Sequence, residues 1–392
     1  YTLTTGFTPN SKDDSLYDEN GETWVTIGDL KGDIIYNSKQ KISKKVADMH
    51  RAEMTKQGSL MYSFKLSVGT VAVAGKDLFT NEAIASFLPK NRHGNLHYLK
   101  YASSLIIGNA NTNIYGAFIM NQQLILNAPL PLPSLDEQQA IADYLDETCS
   151  KIDEIIAEAN ASVEEYKELK QSVIDNATMT GIHDSEMKNT DYVWFPEMPK
   201  SWDLVLASLL FREDVRPVDA NDVSLSLSQV DGLIPTDDMS ERSLKSATHD
   251  NWKHVIPDDL VLNRFKGHLG VFFASKYTGM VSFHYGVYHA IRDDVYAKYY
   301  EYLFHSTTYK NIFALKSNGI TVGLQNLSNG NFYSVKILHP TLDEQIEIVK
   351  FLDKRIAEID SLIAEKESLI NDLEAYKKSL IYEVVTGKRR VV

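Results

Sequence analysis

The chain has 392 residues, 43% apolar and 24% charged, which is too long for one ordinary domain and too apolar for a disordered chain. One cysteine, Cys149, excludes an intrachain disulfide and fits a reducing cytoplasm, and no apolar run reaches the roughly 20 residues a membrane span needs. The net charge of −13 is unevenly placed: residues 135–180 hold 12 acidic against 3 basic side chains, while 1–134 hold 11 against 13, so charge neither supports nor excludes DNA.

In chain order, residues 1–134 read as a mixed α/β domain, with short β-rich runs such as Gly69–Ala74 between turn residues. A helix is predicted from Asp136 to about Thr178, free of Pro and Gly. Residues 182–341 form a second domain of the same texture, with a run at Val271–Ala274 and turns at Asp231-Gly232, Asn318-Gly319 and Asn329-Gly330. A second helix is predicted from Asp343 to about Val385, within a segment 342–392. Each helix stops near Thr-Gly, at Thr180-Gly181 and Thr386-Gly387, where a left-handed glycine ends helices readily.

The helices are copies. PSLDEQQAIADYLDE (133–147) and PTLDEQIEIVKFLDK (340–354) stand 207 residues apart. In the second copy, Val349, Ile356, Ile363, Ile370 and Val384 fall at heptad position a, and Leu352, Ile359, Leu373 and Leu380 at d. In the first, Ala142, Cys149, Ile156, Val163 and Ala177 fall at a, and Leu145, Ile152, Ala159, Tyr166 and Val173 at d. Lys170 and Lys377 occupy one matched a position. A polar a residue costs stability and fixes register, so the two helices are expected to pair with each other as a rod on the order of 65 Å long. The globular parts repeat more faintly: SFKLSVG (63–69) and RFKGHLG (264–270) stand 201 apart. The fold class is α+β, duplicated about a pseudo-two-fold, with two α/β domains separated by two long helices.

The L-D-E-Q phrase reads first as a helix start. Ser134 with Glu137, and Thr341 with Glu344, have the spacing of capping boxes. Twin carboxylates for acid/base catalysis would need a pocket that nothing indicates. Gln138 and Gln345 are not explained by capping. They are expected, with Glu137 and Glu344, to dock a partner.

Catalytic signatures are missing. Gly69 to Gly75-Lys76 has the wrong glycine spacing for a phosphate loop, and Asp77 stands where Ser or Thr is required. There is no GxGxxG after a strand, no HExxH or CxxC metal pattern and no GxSxG elbow. What remains is polar residues at β-rich turns: Ser63, Lys65, Ser67, Asn81, Asn109, Asn111, Thr112 and Asn113 in the first domain. In the second domain they are Arg264, Lys266, His268, Tyr285, Lys316, Ser317, Asn318, Thr321 and Gln325. Arg, Asn, Gln and Lys can read base edges, while Ser, Thr and Lys suit phosphates, so these are the candidate DNA contacts.

The repeated P-x-L-x-E-Q-x-x-I-x-x-[YF]-L-D phrase with its terminal T-G, together with SFKLSVGTVAVAGKDLFTNEAI (63–84) and P-x-x-W-D (199–203), resembles the specificity subunit of type I restriction–modification enzymes over nearly the whole chain. The resemblance implies a non-catalytic subunit in which each recognition domain binds one half of a split DNA target. It implies an antiparallel coiled coil that sets the gap. It also implies two docked modification subunits that methylate adenine with S-adenosylmethionine, and restriction subunits that use ATP and Mg. One departure stands out: the 201 offset places the counterpart of Trp202 at Tyr1, so the first domain is expected to lack its opening stretch. The competing reading from the residues alone is a bivalent protein-binding scaffold on a coiled-coil rod.

Overall fold

The computed structural model describes residues 1–65, 67–90, 94–112, 118–213, 215–219, 221–228, 232–239, 251–317 and 326–391. The chain divides into two compact units, Tyr1–Ala159 with Ser368–Val392, and Asn160–Glu367. Both long helices run through the division, Leu135–Thr180 and Leu342–Val385. No helix among the described residues is long and apolar enough to cross a membrane.

The first unit is built on a five-stranded sheet in the order Thr2–Thr5, Ile84–Leu88, Leu60–Ser63, Val71–Ala74, Ile34–Ile35. Leu60–Ser63 is buried along its whole length because both sheet faces are covered. Leu60 and Tyr62 point to one cluster with Ala85 and Phe87, and Met61 points to another with Ala72 and Ile84. The strand predicted from Gly69 begins only at Val71, since Gly69 takes φ +94 in the preceding turn. Asn95 caps a short helix, Leu96–Ala102, by accepting from the amides of His97 and Tyr98.

The second unit repeats this core. Its four-stranded sheet runs Phe211–Glu213, Tyr285–Ala290, Leu260–Asn263, Phe272–Ala274, the same order as the first four strands above. Ala297–Phe304 takes the place of Leu96–Ala102. Aromatic rings fill its interior: Phe272 lies 4.8 Å from Phe304, 5.0 Å from Phe313 and 5.4 Å from Phe332. Asn329-Gly330, read as a turn, opens a short helix instead, because the Ser328 hydroxyl accepts from the Asn331 amide as an N-cap. Asp231 and Asn318-Gly319 lie outside the described residues.

Each unit contains half of the helix pair, and in each the pairing is antiparallel. In the first unit, Ile141, Leu145, Cys149 and Ile152 from the start of one helix pack with Leu380, Val384 and Val385 from the end of the other. In the second, Ile174 and Ala177 from the end of the first helix pack with Ile348, Val349 and Leu352 from the start of the second. All the a and d residues named above are buried or half-buried, including Ile156, Val163, Ile356, Ile359, Ile363, Ile370 and Leu373. Gly181 (φ +82) and Gly387 (φ +73) terminate the helices in the left-handed region.

Candidate nucleic-acid interface

The helix starts form as the capping-box spacing predicts. Ser134 N donates to Glu137 Oε2 at 2.9 Å while Glu137 N donates to Ser134 Oγ at 3.3 Å. Thr341 and Glu344 repeat the arrangement at 3.2 and 3.4 Å.

The glutamines beside them are a correction. Gln138 and Gln345 are 1% and 0% exposed, so neither presents an amide to a partner. Gln138 Oε1 accepts from Asn95 N at 3.0 Å and its Nε2 donates to Pro133 O at 2.8 Å. Gln345 Oε1 accepts from Tyr296 N at 2.8 Å, and its Nε2 donates to the carbonyls of Asp294 and Pro340, both at 2.9 Å. A second matched contact lies about two helical turns further on. The Tyr101 hydroxyl donates to Asp146 in the first unit, and the Tyr302 hydroxyl to Asp353 in the second. Burial, with the facing carboxylate, pushes both phenols well above their ordinary range. These contacts fasten each α/β domain to the long helix within its own unit.

In the first unit the structure brings Ser63, Lys65, Ser67 and Asn81 together at one end of the sheet. The Phe64 amide donates to the Ala83 carbonyl, and Lys65 Nζ lies 3.7 Å from Glu82. Ser63 is fully buried, and its hydroxyl bonds the carbonyls of Lys65 and Ser67, so it shapes the loop and is not free to touch DNA. Asn81 Oδ1 accepts from Ala83 N, and Asn109 Nδ2 donates to Leu124 O, so both amides are also used internally. Lys65 and Ser67 stay exposed. So do Asn111 and Thr112, on a two-stranded ribbon with exposed Phe118 and Ile119. Asn113 lies outside the described residues.

The equivalent loop of the second unit, Arg264–Leu269, is a 3-10 turn capped by Asn263 and closed by Gly270 at φ +67. Arg264 does not point to solvent. Its Nη2 donates at 2.7 Å to both Glu213 Oε1 and Asn329 Oδ1, and Lys253 Nζ meets the same Glu213 oxygen at 2.6 Å. Burial alone would raise the Glu213 pKa, but hydrogen bonds from Lys253 and Asn329 and the charge of Arg264 outweigh it and hold the carboxyl below its usual range. Lys253 moves down as well, through burial and the second cation beside it, against the pull of Glu213. Arg264 is therefore a half-buried strut, its guanidinium spent on Glu213 and Asn329, which corrects its assignment as a DNA contact. Tyr285 is half-buried, and its carbonyl accepts from Lys253. Lys316 Nζ reaches Ser334 Oγ at 3.1 Å, and the Ser317 hydroxyl caps back to the Phe313 carbonyl.

Lys266 is exposed on this turn. Sequence reasoning missed its neighbours. Phe265 lies 5.2 Å from His284, and His284 lies 3.8 Å from Phe283, all three exposed. A solvent-facing aromatic cluster beside a lysine offers a stacking and apolar surface together with a phosphate-seeking charge. The side chain of His268 and residues Asn318, Thr321 and Gln325 lie outside what the structure describes. Among the described residues no group of three His, Cys, Asp or Glu side chains is placed to hold a metal ion.

The duplicated sheet order, joined to a duplicated helix, matches one known family. The sequence pattern of the type I restriction modification DNA specificity domain matches residues 2–165 and again 236–372. The chain belongs to the type I restriction modification DNA specificity family. It is similar in fold to a chain from a structure of complex assembly and conformational transition in the type I R-M system, with TM-score 0.69, 12% identity, and 98% of this chain and 97% of that one covered. It is also similar to the HsdS subunit from Thermoanaerobacter tengcongensis, with TM-score 0.51, 12% identity, and coverage of 98% and 94%. As a member of the specificity family, whose members are recognition subunits and generally non-catalytic, the chain is a DNA sequence-recognition subunit.

Proposed function

We propose that this specificity subunit reads a bipartite DNA target, one half with each α/β domain, and that the paired helices set the gap between the halves. The observation that carries this reading is the duplication itself. Two units with the same strand order are each anchored to the same helix pair by equivalent contacts, Gln138 and Tyr101–Asp146 in one, Gln345 and Tyr302–Asp353 in the other. The loops at the tips differ: Lys65 with Glu82 in the first unit, Lys266 with Phe265 and His284 in the second. Different tips on like scaffolds suit two different half-sites.

Two modification subunits dock on the helices, carrying S-adenosylmethionine to the adenines, and restriction subunits join with ATP and Mg. Since Gln138 and Gln345 are buried, docking falls on outward-facing apolar side chains that the 207-residue offset repeats, Ile155 with Leu362 and Leu169 with Tyr376, each about two-fifths to one-half exposed. The test is co-expression with the cognate modification subunits and genome-wide mapping of methyladenine. A split motif with a fixed gap is the expected result. Removing one heptad from both helices shortens the rod by about 10.5 Å and should shorten the tolerated gap by roughly three base pairs. An unchanged gap would exclude the ruler.

A further inference from the structure

In the second unit, the antiparallel pairing of Leu260–Asn263 with Tyr285–Ala290 ends at Asn263 opposite Tyr285. The residues just beyond the pair therefore emerge side by side at one end of the sheet, Arg264 and Phe265 from one strand, His284 and Phe283 from the other. The turn that carries Phe265 is pinned from below. The Arg264 carbonyl accepts from Leu327 N at 3.1 Å, and a Cβ on Gly267 would stand 2.6 Å from Leu327 Cβ, so the backbone lies directly on the core. The Arg264 guanidinium adds its bonds to Glu213 and Asn329. The rings above this base are fixed in place rather than carried on a loose loop.

The first unit finishes the same sheet end differently. There the pairing ends at Ser63 opposite Ile84, and the 201 offset carries Phe265 back to Phe64. Phe64 is 5% exposed, in the core with Tyr62 and Phe87, and the surface beside it is the Lys65–Glu82 pair. Phe265 is 40% exposed and Phe283 52%. The scaffold thus has room for an inward ring at this position, and the outward rings belong to the second unit alone.

Resting on the reading that the second domain faces duplex DNA, we propose that Phe265, Phe283 and His284 select thymine in the half-site this domain reads, by apolar contact with the 5-methyl group in the major groove. That methyl is the one apolar group a base pair presents on its major-groove edge. A ring that enters between base pairs needs both of its faces bare. Here His284 covers Phe283 at 3.8 Å and meets Phe265 at 5.2 Å, so the three rings form a low plate that lies against a groove floor. Lys266, exposed on the same turn, places a cation beside the plate for the flanking phosphate. In the first unit the charged Lys65–Glu82 pair offers no such apolar face, so its half-site carries no equivalent methyl requirement at this position.

The test selects bound duplexes from a random-sequence pool, using the full chain co-expressed with its modification subunits. The selection is repeated on the same pool amplified with dUTP in place of dTTP, which removes only the methyl. The parent should enrich thymine within one half-site, and that preference should fall about fourfold in the deoxyuridine pool, the effect of one methyl no longer buried. Phe265→Ala combined with Phe283→Ala should show the same loss with thymine, no further loss with deoxyuridine, and an unchanged preference in the other half-site. Both rings are exposed, so the double variant should keep its melting transition, and the deoxyuridine comparison on the parent needs no variant at all. The proposal is overturned if the parent is indifferent to the methyl, if the double variant still responds to it, or if the variant weakens every sequence equally. A single undivided motif with the methyl response intact would overturn the bipartite reading and leave the thymine contact standing.

Discussion

Lys170 Nζ stands 2.7 Å from Asp360 Oδ1 and 2.8 Å from Oδ2, bridging the two long helices in the second unit. Its copy, Lys377, holds Asp153 at 2.6 Å to both oxygens in the first unit. The 207-residue offset converts one pair into the other with donor and acceptor helices exchanged. Only antiparallel pairing in one common register gives both bridges, so a residue that weakens a heptad core here specifies alignment.

These bridges are partly exposed, so their energetic contribution is modest. A double-mutant cycle on Lys170→Ala and Asp360→Ala should give a coupling of about 0.5 kcal/mol, and at most about 1, by urea unfolding. The charge-swapped pair Lys170→Asp with Asp360→Lys should recover most of the loss. A coupling indistinguishable from zero would remove the bridge as a register device.

Gln345→Ala strands three backbone groups, the buried Pro340 carbonyl and the half-buried Tyr296 amide and Asp294 carbonyl. Unsatisfied buried groups cost about 1–3 kcal/mol each, and relaxation with water entry reduces the sum, so about 3 kcal/mol of destabilisation is expected. Gln138→Ala strands the Asn95 amide and the Pro133 carbonyl, and should cost less in a thermal melt.

Lys266 and Arg264 are two residues apart and should behave oppositely. Lys266→Ala is expected to leave the melting temperature unchanged and to lower the slope of log affinity against log salt by about 1 in DNA titrations, the signature of one lost phosphate contact. Arg264→Ala should destabilise the fold by about 2 kcal/mol, because it removes one of two cations paired with the half-buried Glu213. If Lys266→Ala leaves low-salt affinity untouched, that lysine lies outside the interface.

Glu213 binds its proton more weakly in the folded chain than in the unfolded one, since its folded pKa is lowered. The stability this contributes is fully present above the ordinary carboxylate value of about 4.3 and is lost as pH falls through the lower folded value. Glu213→Gln should therefore be less stable than the parent at pH 7, by about 3 kcal/mol, and should lose less of its remaining stability on acidification. Urea melts between pH 7 and pH 3 measure both effects.

The helices, their caps and the two-half construction were legible because each depends on local spacing: heptads, S/T-x-x-E boxes and Thr-Gly stops. What the side chains touch across the fold was not. The partner of Gln345 is an amide 49 residues earlier, and Arg264 meets a carboxylate on a strand 51 residues earlier. A polar residue in a β-rich turn looks the same in sequence whether it faces solvent, as Lys266 does, or closes the loop on itself, as Ser63 does. Nothing in the sequence marks Phe265, Phe283 and His284 as a surface cluster; the turn geometry brings them together and leaves them exposed.

Gln138 and Gln345 grip main-chain atoms of their domains: amides at positions 95 and 296, and carbonyls at 133, 294 and 340. Each of these bonds is blind to the side chain of the residue gripped. Asn stands at one gripped amide and Tyr at the other, with the same bond to both. A domain held this way can be rewritten at the gripped positions while its seat on the helix survives, so long as the tyrosine that meets the helix carboxylate, Tyr101 or Tyr302, is kept. New specificities can then arise by recombination without the scaffold having to evolve alongside them.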